Sequence, residues 1–386
     1  MEQLKDISLR LKVLLKGDKV IWAVIAFLGL TSVLTVYSSS HALAMRYGAS
    51  PEDFLLKHII LLMVAVGVVF IFHRLNFSKL SKLSVIFLVL SILLLLYTYM
   101  NGVTYNHATR WIRVPFIGIT FQTSDFAKIA LIMYVARTLS IMQSKEVSIH
   151  ELLIPIFIVT VLIIPSDLSS ALILLLTCII LMFIAKAPFK VVLYILVAGF
   201  VAVSIVMMFA YFNPEAFRLD TWSTRLAQFW NGQGGNMFQV EQAQMAIAKG
   251  GFFGLGPGNA EQAHFLPHSY SDYIYCVIIE EYGLLGGSIV CILYVTLLIR
   301  CIRMITKSPK AFGAILAFGL CLSITIQAFV HMAVNVNLLP VTGLTLPLVS
   351  MGGTSLMFTG MSLGIILSVS RYIENNSQNT NSKIAA

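Results

Sequence analysis

Apolar residues in this chain gather into long uninterrupted runs, separated by short polar breaks, with no alternation of the kind a half-buried strand would show. Stretches of bilayer-spanning length fall at about 20–39, 54–73, 83–100, 124–142, 152–165, 169–186, 190–212, 272–299, 311–335 and 346–370. Helices that are apolar all round bury themselves in lipid or in protein. The fifth and sixth stretches are divided only by Pro165-Ser166-Asp167. Together they run about 34 residues, which at 1.5 Å per residue is too long for one crossing, so a tight hairpin is expected. The pattern predicts an all-α polytopic membrane protein of ten transmembrane helices.

An even number of crossings puts both termini on one side, and basic residues choose which. With the N-terminus cytoplasmic, eighteen Lys and Arg fall in inside segments and six in outside ones. That bias sets the orientation: both termini in the cytoplasm, and a large extracytoplasmic loop, 213–271, between helices 7 and 8. It also accounts for the net charge of +9 as membrane topology, so no nucleic-acid partner is expected. Residues 1–18 read as a cytoplasmic amphipathic segment: Leu4, Ile7, Leu11, Leu14 and Leu15 share one face, with Lys5, Arg10, Lys12 and Lys16 elsewhere. Residues 19–371 form the membrane domain, and the polar tail 372–386 is expected to be disordered.

Composition agrees. Of 386 residues, 58% are hydrophobic and 11% charged, with mean hydropathy +0.88, against about 25% charged in soluble domains. Such a chain cannot coat itself with water-facing side chains, which excludes an ordinary soluble enzyme. The five cysteines, Cys178, Cys276, Cys291, Cys301 and Cys321, lie in or beside apolar runs with no CxxC spacing, so buried thiols are expected.

Ionisable groups near membrane depth are costly and point to function. Four clusters gather at the outer ends of spans. In the first, Arg110-Trp111 precedes Gln122-Thr123-Ser124-Asp125-Phe126-Ala127-Lys128. Asp125 and Lys128 share a helix face, and Thr123 or Ser124 suits a cap. A local ion pair on a capped helix and a substrate site fit that spacing alike. Arg110 offers a fork for phosphate, or an interfacial anchor beside Trp111. Asp167, after Pro165, suits a turn capping the next helix. The third cluster runs from His264 through His268 to Asp272, with Glu280 and Glu281 farther down the eighth span. Its His/His/Asp spacing resembles a metal site, but Pro267 interrupts any helix that would align the three. The fourth, Leu339 to Ser355, holds two prolines and three glycines among hydroxyl residues, the mark of broken helix lining a cavity. A short helix is expected over 237–247, where Met237, Val240, Gln244 and Ile247 have helical spacing. A polar outward-facing cavity with Arg, Lys and carboxylates suits a charged, partly lipidic substrate. Composition does not separate transport from catalysis.

Taken together, these runs resemble the SEDS family (shape, elongation, division and sporulation) of bacterial cell-envelope proteins, from about Trp22 to Arg371. The resemblance is carried by Arg110-Trp111 with Gln122–Lys128, by Ser166-Asp167-Leu168-Ser169, by Ala246–Asn259 with its glycines, and by Tyr270–Tyr275 followed by Glu280-Glu281-Tyr282-Gly283. Gly343-Leu344-Thr345-Leu346-Pro347 is similar to the division-type members, since elongation-type members usually have proline where Thr345 stands. Departures from the family pattern are Tyr270 for histidine, Ser271 for threonine, Thr123 for proline, Asp125 for glutamate and Ser169 for glycine.

The resemblance implies a peptidoglycan glycosyltransferase that polymerises lipid II at the outer face of the bacterial cytoplasmic membrane, at the division septum. Asp272 would be the catalytic base. Arg110, Trp111, Asp125, Lys128 and Ser350 would contact substrate, and Asp167, Gln239, Glu281, Gly352 and Gly353 would support the site. The implied partners are the growing glycan strand, a class B penicillin-binding protein transpeptidase, other divisome membrane proteins and membrane lipid. The resemblance fixes no cofactor; a divalent cation, Mg²⁺ or Mn²⁺, suits a diphosphate leaving group, with no ligands assigned. The rival readings are a lipid II flippase without chemistry, an elongation-type polymerase and a scaffold for a transpeptidase. The polar residues gather at the outer end and not at the midplane, where a transporter's site sits, which favours catalysis.

Overall fold

The computed structural model describes residues 15–48, 50–105, 108–113, 120–145, 147–212, 219–231 and 237–384. The N-terminal amphipathic segment therefore lies almost wholly outside the described residues. Helices run over the apolar stretches: α1 Lys19–Tyr47, α2 Pro51–Arg74, α3 Phe77–Asn101, α4 Thr123–Met142, α5 Ile149–Ile163, α6 Leu168–Ile184 and α7 Phe189–Phe212. Two shorter helices, α8 Leu219–Asn231 and α9 Met237–Gly250, follow in the large loop, and then α10 Ile274–Lys307, α11 Ala311–Asn335 and α12 Thr354–Ile384. Six of these (α1, α2, α3, α10, α11 and α12) are long and apolar enough to cross a bilayer, while α5 and α6 are apolar but shorter and α7 is apolar over Phe189–Ile205.

Local chemistry sets several starts. Ser50 caps α2, accepting from Asp53 N, with Pro51 in the first turn and Glu52 and Asp53 at its positive end. Asn76 does the same for α3 through Ser78 N at 3.0 Å. Between α5 and α6 the chain turns within Ile164–Asp167, as the length argument requires, and Asp167 accepts from Ser170 N at 3.1 Å. At α4 the expected hydroxyl cap is absent: Gln122 occupies the cap position and makes no side-chain cap bond.

Two expectations need correction. The chain is not all helix, because residues 103–122 hold a three-stranded antiparallel sheet, β1 Val103–Tyr105, β2 Ala108–Arg113 and β3 Thr120–Gln122, in the order β1-β2-β3. Trp111 pairs with Val103 on one side and Gln122 on the other. Strands this short leave no readable alternation in the sequence. The polar tail, expected to be irregular, instead continues α12 as far as Ile384.

Lipid-facing and interior helices separate clearly. Only 17% of the most apolar window of α2 is buried, against 72% for α11. Leu56, Met63, Ile71, Ile86, Leu93 and Phe200 stand exposed on the outer helices, as a bilayer solvent requires. In contrast, α4 is buried over most of its length despite carrying Asp125 and Lys128. Helices α12 and α2 pack backbone against backbone. A Cβ on Gly360 would lie 2.6 Å from Ala65 O, and one on Gly364 would lie 2.6 Å from Val69 O. This four-residue spacing of glycines lets two backbones touch where lipid supplies no hydrophobic drive to associate.

Broken helix is expected from Leu339 to Ser355; residues 336–353 run irregularly between α11 and α12, and the last helix starts only at Thr354. Their freed carbonyls find side-chain donors, as buried backbone must. Leu344 O accepts from His331 Nδ1 at 2.7 Å, Thr345 O from Gln327 Nε2 at 2.9 Å and Val349 O from Ser32 Oγ at 2.7 Å. Pro347 O accepts from the Tyr294 hydroxyl. Helices α1, α10 and α11 thus hold the strand-like segment that walls the site.

Candidate functional site

A polar cavity of about 310 Å³ opens between the sheet, α4, the α5–α6 turn, α8, the loop before α10, α11 and the 342–352 segment. Arg110, Trp111, Asp125, Lys128, Asp167, Asp272 and Gly352, singled out in the sequence, all line it. They come from chain positions far apart and meet only in the fold.

Each charged group is held in its own way. Arg110 Nε donates to Ser166 O at 2.6 Å, and its Nη1 lies 3.4 Å from Asp167 Oδ2. Asp167 is buried and also accepts from Ser170 Oγ at 2.9 Å, so one carboxylate caps α6 and aims the arginine. On α4, Lys128 Nζ sits 2.7 Å from Asp125 Oδ1 and 3.4 Å from Gln327 Oε1 of α11. That ion pair explains how two charges sit buried in a helix that otherwise faces protein.

Asp272 lies at the entrance to α10, in a turn closed by its amide to His268 O at 3.0 Å. Asn335 Nδ2 donates to Asp272 O at 3.0 Å, which ties the turn to α11. Its carboxylate accepts from Ser271 Oγ at 3.2 Å. Burial pushes the Asp272 carboxyl above the ordinary aspartate value of 3.8, and His268, Ser271, Arg225 and Arg110 pull the other way. Gly343 faces it with φ +72°, and a Cβ there would come 3.8 Å from Asp272 Oδ2. A glycine keeps the approach to that oxygen open.

Arg225 was counted in the sequence only as an outer basic residue, yet it lines the cavity from α8. Its Nη1 donates to Val341 O at 3.1 Å, while its buried Nε has no partner. Burial and the neighbouring Arg110 lower its pKa; Asp272 and Asp167 oppose them. Arginine remains charged all the same. Gln327 was also unforeseen; a polar residue eight positions before Asn335 on an apolar helix was its one signal.

Other expected residues stand elsewhere. Ser350 is buried behind the cavity wall, where its hydroxyl donates to Ser271 O at 2.8 Å and accepts from Leu346 N at 2.8 Å. It braces the Asp272 turn and does not reach the cavity. Gln239 is half-buried on α9, outside the lining. Gly353 (φ +58°) turns the chain into α12. Glu281 lies in the first turns of α10, two residues before the helix breaks at Gly283 (φ 70°, ψ −173°). Its Oε1 accepts from Gly258 N at 3.0 Å and from the Ser38 hydroxyl, and Glu280 Oε1 accepts from Gln262 N at 2.9 Å. These carboxyl groups fasten the large loop to α10. His264 lies in a short 3₁₀ turn, Gln262–His264, and only His268 reaches the cavity. Among the described residues, no three His, Cys, Asp or Glu side chains cluster as a protein-only metal site would need.

Known proteins place this arrangement. A "Probable peptidoglycan glycosyltransferase FtsW" of Geobacter sp. (strain M18) is 32% identical over 92% of this chain and 96% of its own length. The protein of the same description from Coxiella burnetii is also 32% identical, over 92% and 96%. "Stage V sporulation protein E" of Bacillus subtilis is 30% identical over 90% and 96%. The fold matches a chain of the solved structure "Structural coordination of polymerization and crosslinking by a peptidoglycan synthase complex", with TM-score 0.70 and 23% identity over 92% of this chain and 98% of that one. It also matches the Thermus thermophilus rod shape determining protein RodA, with TM-score 0.67 and 23% identity over 92% and 97%. Residues 18–375 match the cell cycle protein family of FtsW, RodA and SpoVE, and the chain belongs to that family.

Proposed function

We propose that this protein is a division-type peptidoglycan glycosyltransferase, which polymerises lipid II at the outer face of the cytoplasmic membrane. The observation that carries the reading is one carboxylate, Asp272, sharing a cavity with Arg110, Arg225 and the Lys128–Asp125 pair. The family and the names of its relatives support the activity, and the relatives named FtsW support the division role over elongation.

Asp272, ionised, takes the proton from a sugar hydroxyl of the acceptor as that oxygen attacks the anomeric carbon of the donor. The bond from that carbon to the diphosphate breaks, the anomeric centre inverts, and polyprenyl diphosphate leaves with the electron pair. Arg110, Arg225 and Lys128 balance the charge gathering on the leaving oxygens, in a site where fixed donors act with little reorganisation. Arg225, with an unpartnered Nε, offers a donor that the folded protein itself leaves unused. Asp125 and Asp167 are already engaged by Lys128 and by Arg110. A Mg²⁺ or Mn²⁺ ion here would therefore draw most of its ligands from the diphosphate and water, with at most Asp272 from the protein.

In this reading residues 19–371 cross the membrane ten times with both termini inside, and the protein works at the septum beside a class B penicillin-binding protein. The test is lipid II polymerisation by the purified protein, with and without its cognate transpeptidase, followed by sizing of the glycan. Glycan strands from wild type and none from Asp272→Asn support the reading. Equal product from the variant removes Asp272 from the chemistry, and lipid movement across vesicles without polymer favours a flippase.

A further inference from the structure

At the opposite end of the bundle from Asp272, two cavities flank one short segment. The first, about 370 Å³, lies between the segment leading into α1, the junction of α2 and α3 and the middle of α12, and carries Lys16, Arg74 and Arg371. The second is an apolar groove of about 820 Å³ between α1 and α2, which begins at Leu15, Lys19 and Trp22 and continues past Gly29 and Phe70. Trp22 and His73 stand between them, with ring centroids 5.4 Å apart, and His73 Nε2 bonds Lys16 O at 2.8 Å. A basic pocket therefore opens beside an apolar channel.

Among the described residues, Lys16, Arg74 and Arg371 have no carboxylate within ion-pair distance. Of the acidic groups nearby, Asp18 pairs with Arg300 at 2.5 Å, while Glu374 accepts from the neutral Gly17 N–H at 2.7 Å, which leaves three cations against one carboxylate. Lys16 and Arg74 make no described side-chain bond, and Arg371 Nη2 donates only to Arg74 O at 3.1 Å. Three like charges converging on one pocket against a single carboxylate repel one another, and an arriving phosphodiester relieves that.

We propose that this end of the bundle is a binding site for an anionic phospholipid, with the phosphodiester on Lys16, Arg74 and Arg371 and an acyl chain along the α1–α2 groove. The groove argues for a lipid over a free phosphate, because it opens within three residues of Lys16 and offers nothing polar beyond Lys19. The charge argues for an anionic lipid over a zwitterionic one. The side is the one that the charge bias assigns to the cytoplasm, where anionic headgroups face basic protein surface. None of these residues lines the Asp272 cavity, so the proposal stands or falls apart from the glycosyltransferase reading.

Native mass spectrometry of the delipidated full-length protein tests it, with phosphatidylglycerol, phosphatidylcholine and glycerol 3-phosphate added at equal concentration. Wild type is expected to retain one phosphatidylglycerol in preference to phosphatidylcholine, with each cation removed in Lys16→Gln and Arg74→Gln lowering retention about fivefold. Neither side chain makes a described bond, so this double variant is expected to elute and melt like wild type; Lys16→Gln alone serves if it does not. Gly29→Leu, which fills the groove, is expected to lower retention with all three cations intact. Equal retention of the two lipids, unchanged binding in Lys16→Gln, or displacement of lipid by glycerol 3-phosphate at equal concentration overturns the proposal.

Discussion

At the scale of single residues, the cavity is organised by what its charges lack. Asp125 and Lys128 satisfy each other and Asp167 satisfies Arg110, which leaves Asp272 with one serine hydroxyl and distant cations. Asp272→Asn keeps the shape and removes the base, so polymerisation should fall by about 10²–10⁴-fold with folding intact, read as initial rate on lipid II. The same burial gives a pH dependence. A raised carboxyl pKa means that the base is lost by protonation at a higher pH than an ordinary aspartate, so activity falls as pH drops through that raised value. The acid limb of kcat/KM should lie above 3.8 and disappear in Asp272→Asn. Replacing the cation that faces it is the complementary test. Arg225→Gln leaves its carbonyl partner Val341 O one donor short and removes a charge that the leaving group would meet, so kcat should drop about a hundredfold, more than KM rises. Asp272 stood out in the sequence because an acidic residue opens an apolar run. Arg225 did not, because one arginine in a 59-residue polar and apolar loop carries no mark of which way it will face.

At the scale of elements, hydropathy located helices but not their interruptions. The run at 272–299 was read as one span, and in the structure it breaks at Gly283. The break leaves the carbonyls of Glu280 and Glu281 and the amides of Leu284 and Leu285 outside the helix ladder. The glycine-rich loop supplies all four partners: Leu255 N to Glu280 O and Gly256 N to Glu281 O, each at 2.9 Å, with Gly251 O and Phe252 O accepting from Leu284 and Leu285. Contact is backbone on backbone, since a Cβ on Gly283 would lie 2.2 Å from Phe252 O. The glycines of 250–258 were legible; their partner was not, because the pairing joins residues 25 to 33 positions apart and no local rule ties them. Gly283→Ala should therefore cost about 2 kcal/mol or more, from the clash together with the positive φ. A lower thermal midpoint in detergent and faster proteolysis of the 250–270 loop would register it, and an unchanged melt would show that the junction yields easily. The sheet escaped the sequence for a different reason: its strands are held by pairing to each other over Trp111 and Gln122, and with two strands of three residues flanking one of six there is too little periodicity to read.

At the scale of the whole molecule, the bundle keeps its ionisable groups at two ends, with the carboxylate cavity at one and the basic pocket at the other. The charge asymmetry assigns the first to the outside. Thiol accessibility tests that assignment with little background, because Cys178, Cys276, Cys301 and Cys321 are buried and only Cys291 is half-buried within α10. Glu261 lies in the large loop with its side chain 68% exposed, and its pair with Lys249 is the kind of surface ion pair whose loss costs little. Lys307 ends α10 at the other face and is also exposed. In intact cells, a membrane-impermeant maleimide should label Glu261→Cys and leave Lys307→Cys untouched until the membrane is opened. Cavity, substrate and orientation are one claim here, since lipid-linked sugars meet Asp272 only from the side on which that carboxylate lies. If Lys307→Cys labels from outside and Glu261→Cys does not, the basic pocket faces the outer leaflet and wall synthesis at Asp272 is topologically barred.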